Sequence, residues 1–180
     1  MQQTHILYPT NKQELYPLLE FQIQTFTKEV PHLISNLANI SAILGNALND
    51  INWVGFYLIP KHFPEYFPLD KLSGKETMLI IGPFQGLPAC TEIAIGKGVC
   101  GTAVETNSTM VVSDVHAFPG HIACDSASNS EIVLPLHNVY GDVVGVLDID
   151  SPILNRFDNE DKEGLEKIAK MIEKLFYENS

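Results

Sequence analysis

Arginine is nearly missing from this chain. Its eleven basic side chains are ten lysines and Arg156, set against 22 acids for a formal net charge of −11. A phosphate backbone would meet repulsion here rather than a basic groove, which argues against nucleic acid as a partner. With one guanidinium there is little to clamp a phosphate or carboxylate in bidentate fashion, and any anionic part of a ligand falls to backbone N–H groups or helix N-termini. No apolar run approaches the ~20 residues a membrane helix needs. The start, Met1-Gln2-Gln3-Thr4-His5, lacks the basic and apolar regions of a secretory signal. The expectation is a cytoplasmic protein with no membrane partner. Cysteine is also sparse: Cys90, Cys100 and Cys124 are spaced C-x9-C and C-x23-C. The absence of any C-x-x-C pair excludes zinc-ribbon and thioredoxin-like motifs, and an odd cytosolic set reads as reactive, metal-binding or buried.

The 180 residues, 45% hydrophobic and 18% charged, suit one domain spanning 1–180 with a single sizeable core. Apolar residues recur at helical spacing over 10–29, where Pro17 predicts a late start or a kink, and again over about 32–49. Residues 51–59 are aromatic and β-branched and predict the first strand, with Trp53 and Tyr57 on one face and Phe56 on the other; on aromatic statistics alone Trp53 is a core residue. A long irregular connection over 61–76 reads either as a lid or as an insertion with its aromatics packed outside. A short strand over 77–82, a turn at Pro83 to Gly86, a glycine-rich entry to a short helix through Glu105, and a strand over 109–113 follow. Residues 131–137 and 142–150 form a hairpin. The closing helix over 158–178 carries Glu163/Lys167 and Glu166/Lys170 at i,i+4, its charges reading as a solvated face. Helices over 1–49, then sheet, loops and closing helix over 50–180, predict an α+β domain. Its central, largely antiparallel sheet carries the long helices on one face.

The chemistry concentrates between Gly120 and Asp150. Cys124 stands among Asp125, Ser126, Ser128, Asn129 and Ser130, in loop surroundings where a thiol is reachable, whereas inert cysteines sit in apolar runs. Glu131 stands at the mouth of an apolar strand, and Asp148 and Asp150 share one face of another. Carboxylates brought close away from water raise at least one pKa, and a protonated carboxyl near an attacking thiol can serve as proton donor.

The motifs I-N-W-V-G-F-Y, G-P-F-Q-G-x-x-A-C, G-K-G-V-C-G-T-A, P-G-H-I-A-C-D, S-E-I-V-L-P-L and G-V-L-D-I-D, in that order, resemble the GAF-domain enzymes called free methionine-(R)-sulfoxide reductases from about Asn49 to the last helix. The resemblance implies a single GAF domain with a loop-covered pocket opposite the helices. It also implies reduction of free L-methionine-R-sulfoxide in repair of oxidative damage. By similarity, Cys124 matches the nucleophile, Cys90 the resolving cysteine and Cys100 a third redox cysteine. Glu131, Asp148 and Asp150 match the acids that hold the substrate ammonium and assist at the sulfoxide oxygen, with Glu131 and Asp150 counted as catalytic. Trp53 and Tyr57 match the aromatic pair around the methyl-sulfoxide end. A sulfenic acid on the nucleophile would condense with a second thiol to a disulfide, reduced by thioredoxin with NADPH acting through thioredoxin reductase, and no bound cofactor is implied. The choice of resolver between Cys90 and Cys100, and of proton donor among the three acids, stays open. So does oligomeric state, a homodimer being a pairing that GAF domains often make through helices. Two other readings remain: a ligand-sensing GAF module, and a zinc site from Cys90, Cys100, Cys124 and His121, whose spacing matches no compact knuckle.

Overall fold

The computed structural model describes residues 7–120 and 127–176. In chain order its elements are α1 (Lys12–Thr27), α2 (Leu33–Ala47), β1 (Trp53–Leu58), β2 (Leu79–Gly86), β3 (Glu92–Ile93), α3 (Gly98–Thr106), β4 (Met110–Val112), β5 (Ser130–His137), β6 (Val143–Ser151) and α4 (Asn159–Leu175). The six strands form one sheet in the order β3-β2-β1-β6-β5-β4, every neighbouring pair antiparallel. Thus the predicted α+β class and the β5–β6 hairpin are observed, and the sheet's centre is β1 against β6.

Period-two alternation sorts β1 between two cores. Val54, Phe56 and Leu58 pack with Leu19, Leu37, Leu44 and Ile168 under α1, α2 and α4. Trp53, Tyr57 and Ile59 point the other way, into a smaller cluster with Val99, Cys100 and Ala103 of α3 and Val133 and Val146 of the hairpin. With strands buried on both faces, the sheet has a helix face and a second face closed by α3 and the connecting segments.

Four local expectations are corrected. Of the two readings of Pro17 the late start is overturned: α1 starts at Lys12 under an Asn11 cap accepting from the Gln13 N–H at 2.9 Å, with Pro17 inside the helix. The stretch Pro83 to Gly86 is not a turn but the second half of β2, pairing Phe84 with Gly55 and Gly86 with Trp53. The register shifts between Gly55 and Tyr57, so Gly82 and Pro83 share the place opposite Phe56, and a proline without an N–H is tolerated at such a bulge. The charges of α4 are not all solvated, since Asp161 and Glu173 are buried. Its ion pairs within the helix, among the described residues, are Lys162–Glu166 and Lys170–Glu173, in place of the expected Glu163/Lys167 and Glu166/Lys170.

The 61–76 connection holds two short 3-10 turns, Pro60–His62 and Leu69–Lys71. Phe63 is buried in the helix-face core, its ring edge-on to Phe176 at 5.5 Å between centroids, and Phe67 packs against the same cluster. Phe63 and Phe67 thus extend the helix-side core rather than sit outside, while Tyr66 is exposed as the insertion reading expects.

Candidate active site

Strand register assembles the acids. Asp150 of β6 lies opposite Trp53 on one side and Glu131 on the other, and Asp148 lies opposite Gly55 and Val133. Asp148 and Asp150 therefore share the second face, as their i,i+2 spacing predicts, and Glu131 stands diagonal to Asp148 across the β5–β6 ladder, within reach of a long side chain. Over them lies α3. Its entry is tight because a Cβ on Gly101 would stand 2.3 Å from the Ala94 carbonyl, so glycine there lets the helix approach β3. This brings Cys100 down onto the acids. Its thiol donates to Glu131 Oε1 at 3.9 Å, and the sulfur lies with one carboxylate oxygen each of Glu131 and Asp148 inside a 4.8 Å span.

Burial sets the protonation of this group. Glu131 and Asp148 are each 6% exposed, and water is too scarce to support two adjacent negative charges. Burial first, then the charges of Asp148 and Asp150, push Glu131 far above the usual carboxylate range. Burial likewise raises Asp148 to about 7, against hydrogen bonds from Cys100, Glu131 and the Ile149 backbone that favour its charged form. Both shifts run in the direction that retains a proton within the pair. Burial, Asp148 and Glu131 also raise the Cys100 thiol well above its ordinary value, making it a neutral donor rather than a nucleophile. Asp148 Oδ1 is buried with no hydrogen-bond partner among the described residues. A solitary buried acceptor costs about 1–3 kcal/mol, and a cationic ligand group would satisfy it.

The aromatic wall beside the acids has three rings. Trp53 stacks on Tyr57 at 5.8 Å and on Phe84 at 5.3 Å between centroids. Gly55 permits this: a Cβ there would stand 2.3 Å from the Phe84 Cβ and 2.7 Å from the Trp53 ring. Trp53 and Tyr57 are therefore brought together with Asp148, Asp150 and Glu131 as expected. Phe84 is the member the sequence reading missed. Its signal is the aromatic residue between a strand and a glycine, which the Pro83–Gly86 turn assignment hid.

The cysteines divide. Cys90, in the segment between β2 and β3, is disulfide-bonded, and Cys100 is a buried free thiol. Cys124 lies outside the described residues, as does His121. The Cys90 sulfur is therefore already bonded and is no zinc ligand here; among the described residues the group with spacing suited to a metal ion is Cys100, Glu131 and Asp148. A groove of about 720 Å³ runs elsewhere, along α4 past Thr109, His137 and Lys167. Its buried acid Glu173 is held by Lys170 at 2.9 Å and His137 Nδ1 at 2.6 Å, and Glu166 accepts from Thr109 at 2.8 Å. In this groove Glu173 and Glu166 already hold partners, whereas the acids under α3 face one another and a thiol.

The chain is similar to known proteins over most of its length. The GAF domain model matches residues 32–175. A free methionine-R-sulfoxide reductase of Escherichia coli (strain K12) is 45% identical over 165 residues, 92% of this chain and 90% of that protein. Among solved structures, a free methionine-R-sulfoxide reductase from Neisseria meningitidis in complex with its substrate superimposes with a TM-score of 0.84 at 40% identity, covering 98% of each chain. The fRMsr of Staphylococcus aureus, in complex with substrate, gives a TM-score of 0.78 at 48% identity, covering 95% of this chain and 99% of that one.

Proposed function

The chain belongs to the GAF domain family and groups there with the free methionine-R-sulfoxide reductases, and from that membership we propose that it reduces free L-methionine-R-sulfoxide to L-methionine in oxidative-stress repair. The observation that carries the proposal is the buried pair Glu131 and Asp148, which among the described residues has no ion-pair partner and leaves one Asp148 oxygen without a hydrogen bond, beside the stacked Trp53 and Tyr57. An amino-acid ammonium satisfies the acids, and the aromatic wall receives the methyl-sulfoxide end. A sulfoxide inside a peptide has no ammonium to offer and would leave the acids unpaired, so the free amino acid is preferred.

In this reading the Cys124 thiolate attacks the sulfoxide sulfur, and Glu131, whose carboxyl burial pushes well above the usual range, delivers a proton to the sulfoxide oxygen. Asp148 and Asp150 hold the ammonium. Methionine leaves, and Cys124 carries the oxygen as a sulfenic acid. The Cys90 thiolate then displaces that oxygen as water and forms the Cys90–Cys124 disulfide. Two observations support Cys90 as resolver over Cys100: Cys90 is disulfide-bonded, and Cys100 is a protonated thiol engaged with Glu131. An external dithiol, thioredoxin, restores both thiols by exchange, with NADPH used through thioredoxin reductase. Among the described residues no helix is long and apolar enough to cross a membrane.

The test is NADPH oxidation with thioredoxin and thioredoxin reductase on the free R-epimer, the free S-epimer and a sulfoxide-containing peptide. Turnover confined to the free R-epimer, and lowered at least about a thousandfold by Cys124→Ser, is the expected result. Absence of turnover while a control reductase works with the same reagents removes the reading.

A further inference from the structure

The segment between β2 and β3 hangs from the sheet by two side chains. Leu87, Pro88 and Ala89 make no backbone–backbone hydrogen bond among the described residues. Instead the Trp53 indole N–H donates to the Leu87 carbonyl at 3.2 Å, and the Tyr57 hydroxyl donates to the Cys90 carbonyl at 3.0 Å. Both donors are rooted in β1 and buried to 2% and 1% exposure, whereas Leu87 is 65% exposed. The Trp53 ring is fixed between Tyr57 and Phe84, so the donors cannot follow the segment if it moves. Burial, then Asp148, raises the Tyr57 phenol far above its ordinary value, so the hydroxyl keeps the proton it donates. The residue so held, Cys90, is in its disulfide-bonded state.

We propose that Tyr57, with Trp53 beside it, is a positioning residue for the redox step: its hydroxyl holds the Cys90 segment where the disulfide needs it and so favours the disulfide over the dithiol. The same two side chains thereby join the aromatic wall of the substrate pocket to the redox state of Cys90. The proposal rests on the reductase reading for its place in a catalytic cycle, while the disulfide and the two hydrogen bonds stand without it. In the equilibrium concerned, an external dithiol gives two electrons and two protons to the protein disulfide; the protein's S–S bond breaks and the reductant's forms. A hydrogen bond stronger in the disulfide state than in the dithiol state biases that equilibrium. Its net worth corresponds to about threefold to tenfold, or about 15–30 mV at ~30 mV per tenfold for a two-electron couple.

The experiment equilibrates wild type and Tyr57→Phe with graded ratios of reduced to oxidised dithiothreitol, alkylates the thiols after acid quenching, and measures the Cys90 disulfide by mass spectrometry. Urea unfolding of the fully oxidised and fully reduced forms checks that each variant is folded. Tyr57→Phe is expected to be reduced at a threefold to tenfold less reducing ratio, with the oxidised form losing more stability than the reduced one. A midpoint shifted by less than threefold, or in the opposite sense, overturns the inference, and equal destabilisation of both forms would reduce Tyr57 to a structural role. Trp53→Phe, which removes the indole N–H and keeps an aromatic ring, is expected to shift the midpoint in the same direction. No sulfoxide is present, so failure here is distinct from failure of the reductase reading, which the NADPH assay alone decides.

Discussion

Among the described residues two places bury aspartate, and they treat it oppositely. On the helix face Asp161 is 1% exposed and fully engaged: Lys12 Nζ at 2.7 Å, Arg156 at 3.1 Å, the Tyr16 hydroxyl at 2.7 Å and the Asp158 backbone N–H at 3.0 Å. It closes the capping box of α4 and ties α1 to it. On the second face Asp148 and Glu131 are buried nearly as deeply, but their neighbours are each other, a thiol and Asp150. A buried acid ringed by cations is architecture. A buried acid kept from cations holds an interaction in reserve, and its raised pKa is the mark of that.

The contrast breaks most sharply at Asp161. Asp161→Ala strands Lys12, Arg156 and the N-terminus of α4, so urea unfolding should show a loss of about 3–5 kcal/mol, with turnover per folded molecule unchanged. A loss below about 1 kcal/mol would make this network ornamental. Next is Phe63→Ala, which empties a site in the helix-face core and should cost about 3–4 kcal/mol without altering KM. A raised KM would show that the 61–76 segment reaches the pocket after all.

Asp148→Asn should do the reverse of Asp161→Ala. Losing one charged hydrogen bond to the ammonium predicts kcat/KM lower by about 10- to 100-fold, while stability at neutral pH holds or rises because a buried negative charge has gone. If Asp148→Asn destabilises the fold as Asp161→Ala does, the distinction between the two acids collapses. The smallest effect is in pH dependence. Asp148 has a folded pKa of about 7 against 3.8 when free, so between those values the folded state binds more protons than the unfolded. Its contribution to stability therefore declines as pH rises through that window. Asp158, held below 3.8 first by its hydrogen bond to Lys12, acts with opposite sign: its contribution is present above 3.8 and is lost as pH falls through its lower folded value. Urea titrations at pH 5 and pH 7.5 should show a fall for wild type that is smaller in Asp148→Asn.

Much of this was open to reading along the chain. The helical stripes of α1, α2 and α4, the β5–β6 hairpin and the shared face of Asp148 and Asp150 are set by local period, and period survives folding. The misreadings have a common cause. Pro83 to Gly86 carries turn residues, yet pairing with β1 and a bulge opposite Phe56 accommodate the proline within a strand. Asp161 and Glu173 look like surface charges on a helical wheel, yet Arg156, Lys12, Tyr16 and His137 come from elsewhere to cover them. Phe63 sits in an irregular stretch, where nothing local tells which face will receive it.

What the sequence by itself determined is therefore the class of the fold and the motifs shared with one enzyme family, from which three cysteines, three acids and two aromatics are proposed for the site. These depend on residue type and short-range spacing. Tertiary structure alone decided which acids have no ion-pair partner among the described residues, that the Cys100 thiol rests on Glu131, that Phe84 completes the aromatic wall, and that Trp53 and Tyr57 hold the Cys90 segment. Each of those joins strands or helices far apart in the chain, and the desolvation that shifts a carboxyl's proton affinity exists only once they have closed around it.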